Sequence, residues 1–215
     1  MITIVDYGTS NVASVQNMLR KIGHGSTITS ARKDVENAQI LILPGVGLFD
    51  AAMNNLENLG LIETLQHKAK IEKVPFLGIC LGMQLLGDSS EEGEKRGLGL
   101  IKARSTKFSF PDNQKLKVPH MGWNATHTQK TSELFQGFEE QPYFYFVHSY
   151  HLVCEDNADV LAQANYGIPF TASVKRENVA GVQFHPEKSH KFGMHLLRNF
   201  VNYATSASKI TVGTV

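Results

Sequence analysis

The chain has 215 residues, of which 42% are hydrophobic and 19% charged, and its formal net charge is +1. This composition is that of an ordinary globular domain, and it argues against a basic nucleic-acid-binding surface and against an acidic disordered tail. Two cysteines, Cys80 and Cys154, are too few for a disulfide framework. The first residues carry no cationic region, and no apolar run is long enough to cross a bilayer. We therefore expect a cytoplasmic protein without a membrane segment.

The first third of the chain alternates between strand and helix patterns. Apolar runs predict strands over residues 2–5, 26–29 and 39–43. Apolar residues at helical spacing predict helices over residues 11–22, 48–59 and 61–70. This alternation favours a mainly parallel sheet covered by helices.

A glycine-rich turn, Pro44-Gly-Val-Gly47, follows the third predicted strand. Its two glycines would let a backbone N–H turn into a site at the carboxyl edge of the sheet, where open α/β sheets bind ligands. An ordinary β-to-α turn explains the same residues, and the pattern of a phosphate-binding loop is missing. On this segment alone, the ordinary turn is the favoured interpretation.

Residues 74–86 predict a buried strand, a sharp turn and the start of a helix, with Cys80 between Gly78 and Gly82. This G-x-C-x-G pattern is typical of a nucleophile elbow, in which glycines permit a tight turn and a close approach of substrate. The N–H of Leu81 would help to hold an oxyanion, and the helix dipole would favour a thiolate. Most cysteines are small core residues instead, but the flanking glycines and the strand-to-helix context favour a nucleophile here.

The C-terminal half of the chain has a different character from Gly97 onwards. Strand patterns there cover residues 98–110, 116–123, 143–150, 160–164, 170–175 and 179–184. They predict a mixed or antiparallel extension of the sheet, followed by a closing helix around residues 194–201. We expect a single domain over residues 1–203 and a flexible tail over residues 204–215.

The last predicted strand ends in Phe184-His-Pro-Glu187, where the proline fixes a turn. His185 and Glu187 would project from that rigid turn, two residues apart. A thiolate nucleophile needs a base, and the base needs a group that orients it. Since Cys80, His185 and Glu187 supply all three groups, we expect them to form a catalytic triad.

Metal binding is the alternative role for the histidines of this chain. The candidates His120, His148, His151 and His185 show no ligand spacing such as H-E-x-x-H. We therefore expect neither a metal site nor a cofactor.

The elbow Gly78-Ile-Cys-Leu-Gly-Met-Gln84 and the turn His185-Pro-Glu187 together resemble class I (triad) glutamine amidotransferases. Within that class, the chain is similar to the glutaminase subunits of imidazole glycerol phosphate synthase. The matching segments are residues 6–8, 44–47, 78–84, 90–93, 118–124, 146–150 and 183–189. The resemblance covers about residues 1–203 and implies an α/β fold. Its central, mostly parallel sheet would be flanked by helices and carry a small antiparallel extension.

The resemblance implies that this chain is an enzyme, a glutaminase with a Cys-His-Glu triad. Cys80 would attack the side-chain amide carbon of glutamine, while His185, held by Glu187, moves the proton. Water would then hydrolyse the thioester to glutamate. The N–H groups of Gly47 and Leu81 would hold the oxyanion.

The resemblance also implies how substrate and product are handled. Gln84, Glu92, Ser149 and Tyr150 would contact the substrate glutamine. The ammonia would pass into a (β/α)8-barrel cyclase subunit within a heterodimer that serves histidine biosynthesis. Members of this family idle until the partner is loaded, and a backbone flip in residues 44–47 would be the switch.

The surface that meets the barrel subunit is carried over from the same resemblance. The residues at this interface would be Asn11, Met121, Trp123, Tyr145 and Lys188. A surface tryptophan in a polar stretch suits an interface anchor, although a core tryptophan is the competing interpretation.

Three alternatives stay open at this point. Residues 148–151 and 189–193 look more like paralogues that supply ammonia for amidine formation on a surface-polysaccharide sugar. A cysteine peptidase or related hydrolase would use the same elbow, but Gln84 and the segment around Trp123 argue against it. The third alternative, a non-catalytic scaffold, conflicts with the intact set of triad residues.

Overall fold

The computed structural model describes residues 1–8, 11–111 and 116–212. Its strands are β1 Ile2–Val5, β2 Ser26–Thr29, β3 Ile40–Gly45, β4 Phe76–Cys80, β5 Ser89–Ser90, β6 Ala103–Lys107, β7 His120–Ala125, β8 His127–Thr128, β9 Tyr143–His148, β10 Tyr150–Cys154, β11 Val160–Tyr166, β12 Ile168–Arg176 and β13 Val179–Val182. Its α-helices are α1 Val12–Lys21, α2 Arg32–Glu36, α3 Phe49–Asn58, α4 Ile62–Lys70, α5 Leu81–Leu85 and α6 His190–Val212.

The described residues form a central eight-stranded sheet in the order β2-β1-β3-β4-β13-β12-β11-β8. Strands β2, β1, β3, β4 and β13 run parallel to one another. Strands β12, β11 and β8 extend the sheet in antiparallel fashion. The predicted α/β fold, with a mostly parallel sheet and a small antiparallel extension, is therefore confirmed.

Two smaller sheets within the described residues pack beside the central one. Strands β10, β6 and β5 form the first, which contacts β12, and strands β7 and β9 form the second, which contacts β11. The β7–β9 pair is antiparallel and places Trp123 opposite Tyr145. These small sheets build the wall beside the carboxyl ends of the parallel strands.

The hydrophobic core lies on both faces of the central sheet. Ile42 and Ile79 belong to the cluster that includes residues of α1 and α6. Leu43 and Phe76, which face the other side of the same two strands, belong to the cluster that includes residues of α3 and α4. This alternation explains why the parallel strands read as continuous apolar runs, since both of their faces are covered.

The long strand predicted over residues 98–110 is wrong in its first part, because only β6 is a strand there. Leu98 and Leu100 are buried, which produces the apolar pattern. Their N–H groups donate to the carbonyls of Leu85 and Leu86, each over 2.8 Å, at the end of α5. The segment therefore caps a helix end instead of joining a sheet.

The sequence does not predict helix α2 or strand β10. Helix α2 is five residues long and buries only Val35, so its apolar periodicity is too short to detect. Strand β10 is separated from β9 by Ser149 and pairs with β6, whereas β9 pairs with β7. The aromatic run over residues 143–150 is thus shared between two sheets.

The closing helix α6 is longer than its prediction and continues to Val212. Its apolar stripe includes Phe200, Val201 and Ala204, which are buried against the core. The structure thus places residues 204–212, predicted as part of a tail, in this helix, and residues 213–215 lie outside the described part. No helix among the described residues is both long enough and apolar enough to cross a membrane.

Candidate active site

The predicted nucleophile elbow is present at the junction of β4 and α5. Cys80 ends β4 and has φ 55° and ψ −111°, a conformation that residues other than glycine rarely adopt. Such strain costs on the order of 1–3 kcal/mol and concentrates at functional sites. The turn directs the chain from the sheet into α5, whose first residue is Leu81.

Glycines at the elbow have no room for a side chain. A Cβ at Gly82 would lie 1.8 Å from the carbonyl oxygen of Leu43, and one at Gly78 would lie 2.6 Å from the carbonyl oxygen of Gly82. A Cβ at Gly45 would lie 2.2 Å from the hydroxyl of Tyr7. The tight turn was predicted correctly. In addition, glycine is required here because helix α5 packs directly on the backbone of β3.

The ends of three adjacent strands meet at the candidate site. Gly45, at the end of β3, pairs with Cys80 at the end of β4. The chain continues from β3 into Gly47, which has φ +107°. Strand β13 lies on the other side of β4 and leads into His185. Since parallel strands end at the same edge, distant segments of the sequence converge there.

His185 and Glu187 form a buried pair beside the elbow. Nδ1 of His185 donates to Oε1 of Glu187 over 2.7 Å, and both side chains are fully buried. Because Nδ1 keeps its proton and donates it in this hydrogen bond, Nε2 is the ring nitrogen that can accept a proton from a thiol. The backbone N–H of His185 donates to the carbonyl of Tyr145 over 2.9 Å, which ties the turn to β9.

The neighbours of His185 favour its protonated form. Burial lowers the pKa of His185, but Cys80 and Glu187 outweigh burial and raise this pKa to about 10. Burial raises the pKa of Glu187, whereas its hydrogen bonds to His185 and Asn11 hold that pKa below its usual value. Among the described residues, Nε2 of His185 has no hydrogen bond of normal length. His185 is therefore a strong acceptor for a proton from Cys80.

Asn11 lies against this pair, where the sequence did not place it. Its side chain is nearly buried, and its Nδ2 donates to Oε1 of Glu187 over 3.1 Å. Asn11 was predicted to lie at a partner interface, and the structure adds a contact with the candidate triad. The two residues are 176 positions apart in the chain, so no local pattern could have linked them.

A cavity of about 300 Å³ opens in front of Cys80. The residues that line it are Val46, Gly47, Cys80, Leu81, Gln84, Glu92, Pro119, Val147, His148, Ser149, Tyr150 and His185. This set contains every residue predicted to contact the substrate or the oxyanion, together with two of the three predicted triad members. The third, Glu187, lies behind His185.

Polar side chains in the cavity wall are held by hydrogen bonds of their own. Nε2 of Gln84 donates to the carbonyl of Tyr150 over 3.0 Å and to Oε1 of Gln183 over 3.1 Å. Oε2 of Glu92 accepts from the N–H of Phe49 over 2.8 Å, at the start of α3. These bonds fix the positions of both side chains before any ligand enters.

The residues predicted for the site did not include Gln183, which lies behind Cys80, or two residues of the cavity wall. Gln183 is fully buried and contacts Sγ of Cys80 through its Nε2 over 3.8 Å. A polar residue at the end of an otherwise apolar strand was the available signal. Val147 and His148 line the cavity. Val147 lies in an aromatic strand that gave no reason to single it out, and His148 was weighed as a metal ligand and not as a residue of the cavity.

The other predicted interface residues lie on an exposed patch beside the turn that carries His185. Met121 and Trp123 have 62% and 47% of their surfaces exposed, which excludes a core tryptophan. The ring of Trp123 contacts Tyr145 edge-on and stacks on His190 at a centroid distance of 5.4 Å. Nζ of Lys188 lies 5.6 Å from the centre of the Tyr145 ring. The patch is defined by these five residues.

Three of the four histidines weighed as metal ligands lie together in the core, and the fourth is His185 of the candidate triad. His120, His148 and His151 are buried and contact the ring of Phe108. No group of side chains suited to hold a metal ion occurs among the described residues. Burial lowers the pKa of His120 to about 4 and that of His148 to about 3, so both are neutral near pH 7.

We expect these buried histidines to make the protein sensitive to acid. Their pKa values are depressed in the folded state, so the unfolded chain binds protons first as the pH falls from about 6.5 towards 3. The free energy of unfolding should fall in this window, by up to about 1.4 kcal/mol per pH unit for each histidine. Urea unfolding of the wild type and of His120→Phe at several pH values measures the effect. Equal acid slopes in the two proteins would contradict it.

Comparison with known proteins places this site in a family. The family model for class-I glutamine amidotransferases matches residues 3–203. The chain is 51% identical to imidazole glycerol phosphate synthase subunit HisH 2 of Pseudomonas aeruginosa, over 94% of this chain and 98% of that protein. It is 50% identical to the subunit of the same name from Methanococcus maripaludis, over 95% of this chain and 100% of that protein.

The fold is also shared with solved structures. A glutamine amidotransferase crystal structure superimposes with a TM-score of 0.74 at 16% sequence identity, and the match covers 95% of this chain and 100% of that one. At this identity the match supports the fold alone. Because the class-I family model spans nearly the whole chain and relatives share half of its residues along their full length, the chain belongs to the class-I glutamine amidotransferase family.

Proposed function

We propose that this chain hydrolyses L-glutamine to glutamate and ammonia through a covalent intermediate on Cys80. Sγ of Cys80 attacks the side-chain amide carbon, and His185 receives the thiol proton. The N–H groups of Gly47 and Leu81 stabilise the negative oxygen of the tetrahedral intermediate. Glu187 keeps the ring of His185 in the correct orientation and tautomer.

The second half of the reaction uses the same groups in the reverse order. His185 gives its proton to the departing ammonia, which leaves a γ-glutamyl thioester on Cys80. His185 then takes a proton from a water molecule, which attacks the thioester carbonyl and releases glutamate. Gln84, Glu92, Ser149 and Tyr150 hold the substrate in the cavity during both steps.

One observation carries this proposal: the His185–Glu187 pair and the elbow cysteine meet at one cavity. That cavity has a volume of about 300 Å³ and is also lined by Gln84 and Glu92. Fixed polar groups beside a nucleophile suit a small, polar amino-acid substrate better than an extended peptide. A non-catalytic scaffold would not need the strained backbone of Cys80.

We further propose that the ammonia passes to a (β/α)8-barrel cyclase subunit, and that the chain is the glutaminase subunit of an imidazole glycerol phosphate synthase. The names of the two relatives support this assignment. The exposed patch around Trp123 supports a contact surface, since it presents aromatic rings and a cation beside the triad turn. Histidine biosynthesis in the cytoplasm is part of this proposal.

The test is glutamate release from glutamine, measured with the purified chain alone and with a histidine-pathway barrel subunit and its ribonucleotide ligand. We expect stimulation of about tenfold or more by the loaded partner. A low rate without stimulation would redirect the ammonia to the sugar-amidine alternative. Cleavage of peptides without glutamine hydrolysis would overturn the glutaminase assignment in favour of a peptidase.

We expect Asn11→Ala to lower kcat for glutamine about tenfold with little change in KM, because a hydrogen bond to the charged Glu187 is lost. Asn11→Asp keeps the shape but brings a second carboxylate to Glu187, so its kcat should fall further. Steady-state kinetics of the chain without a partner measure both effects. Unchanged kinetics of the isolated chain, with stimulation by the barrel subunit lost, would instead make Asn11 purely an interface residue.

A further inference from the structure

We propose that His148 is a positioning residue of the glutaminase site, and that a directional hydrogen-bond chain through His120 fixes the tautomer with which His148 holds the Tyr150 carbonyl in the cavity wall. The inference rests on the proposed glutaminase function and deepens it. None of the roles predicted above uses these two side chains.

The direction of the hydrogen-bond chain is fixed at its inner end, where His148 meets Tyr150. Nδ1 of His148 lies 2.8 Å from the carbonyl oxygen of Tyr150. A carbonyl oxygen only accepts, so Nδ1 of His148 must carry the proton. His148 is neutral, because burial holds its pKa far below 6.5. Its Nε2 is therefore an acceptor.

The next links follow from that assignment. Nδ1 of His120 lies 3.3 Å from Nε2 of His148 and must be the donor. Nε2 of His120 is then an acceptor, and Nδ2 of Asn124 approaches it to 3.4 Å. The amide group of Asn124 can only donate from this atom, and it also donates to the carbonyl of Asn165 over 2.8 Å. Both ends of the hydrogen-bond chain thus require that each of the two histidines carries its proton on Nδ1.

The hydrogen-bond chain ends on the carbonyl of Tyr150, a residue that lines the active-site cavity. The carbonyl oxygen of Tyr150 accepts a second hydrogen bond, from Nε2 of Gln84 over 3.0 Å. Gln84 also donates to Gln183, and Nε2 of Gln183 lies 3.8 Å from Sγ of Cys80. A displacement of the Tyr150 carbonyl would therefore reach both the substrate cavity and the surroundings of the nucleophile.

The rings of both histidines are held in place by packing. His120 is 3% and His148 is 6% exposed. His120 stacks on Tyr166 at a centroid distance of 4.1 Å, and His148 packs against Phe108 and Phe170. Buried neutral polar groups inside an aromatic cluster are costly unless they are paired. A requirement for a fixed Tyr150 carbonyl explains why such groups are placed here.

Two substitutions at one position separate the inference from a general packing role. His148→Asn keeps a nitrogen donor near the place of Nδ1 and so keeps the bond to Tyr150. His148→Gln places its donor near the position of Nε2 instead, and so loses that bond. We expect kcat/KM for glutamine to fall about tenfold in His148→Gln, mainly through KM, and to stay within about threefold of wild type in His148→Asn. His195 bonds to the carbonyl of Gln136 through Nε2, away from the site; His195→Asn moves the donor from that place, removes this bond and should leave the kinetics unchanged.

Urea unfolding of each variant checks that it is folded under the assay conditions. Equal kcat/KM in wild type and His148→Gln would overturn the inference while leaving the glutaminase function intact. Equal losses in His148→Gln and His148→Asn would also overturn it, because the role would then be packing. If the wild type releases no glutamate even with the loaded barrel subunit, the proposed function fails and the inference fails with it.

Discussion

Cys80→Ala is expected to lower glutamate release from glutamine about 1000-fold or more, the scale on which loss of a covalent nucleophile acts. The reason is that neither His185 nor the oxyanion donors can form the thioester without the sulfur atom. The complex with the proposed barrel subunit should still use added ammonia, because the acceptor reaction does not need this cysteine. Paired assays with glutamine and with an ammonium salt measure both activities.

The other cysteine of the chain provides the matched control. Burial raises the pKa of Cys154 to about 12, so this thiol stays protonated and unreactive near neutral pH. Cys154→Ala should keep its activity on glutamine, and alkylation by iodoacetamide should inactivate it like the wild type. The ammonia-donor model fails if Cys80→Ala loses both activities while the complex still assembles.

Gly82→Ala is expected to lower the free energy of unfolding by about 3 kcal/mol, the upper part of the range for overpacked sites. Its Cβ would lie 1.8 Å from the carbonyl oxygen of Leu43, which is backbone in a central strand and cannot turn aside. Relief of the clash requires α5 to move away from β3, and this movement would carry Cys80 with it. Activity on glutamine should therefore fall together with stability, as measured by urea unfolding and by glutamate release.

Gly25→Ala is the matched control for this substitution. A Cβ at Gly25 would meet no atom within 4 Å, and its backbone angles are not in the left-handed region. We expect its free energy of unfolding to stay within about 0.5 kcal/mol of wild type. If Gly82→Ala were as stable and as active as Gly25→Ala, the elbow would not depend on contact between the backbones of α5 and β3.

The sequence predicted the elbow and the triad turn because both are local patterns with strict requirements. A cysteine between glycines after an apolar strand leaves few alternatives, and proline between His185 and Glu187 fixes a turn wherever it occurs. The parallel part of the sheet was predicted for a similar reason, since apolar runs that alternate with amphipathic helices fit few other architectures. The predicted substrate-contact residues came from the family resemblance, and they line one cavity in the structure.

Two strand predictions from local patterns were wrong because packing between distant segments decided the structure there. Leu98 and Leu100 look like strand residues because they are buried, yet their N–H groups donate hydrogen bonds to carbonyls at the C-terminal end of α5. The aromatic run over residues 143–150 reads as one strand, yet Ser149 divides it between two sheets. Burial is visible in a sequence, whereas the choice of hydrogen-bond partner is not.

Local sequence thus fixes which chemistry this chain can carry: a cysteine on a strained turn and a histidine with its carboxylate. The neighbours of these groups depend on the folded molecule. The contact of Asn11 with Glu187 joins residues 176 positions apart, and the pairing of His120 with His148 arises from the register of β7 against β9. Such contacts come from the order of strands in the sheets, which residue spacing along the chain does not encode.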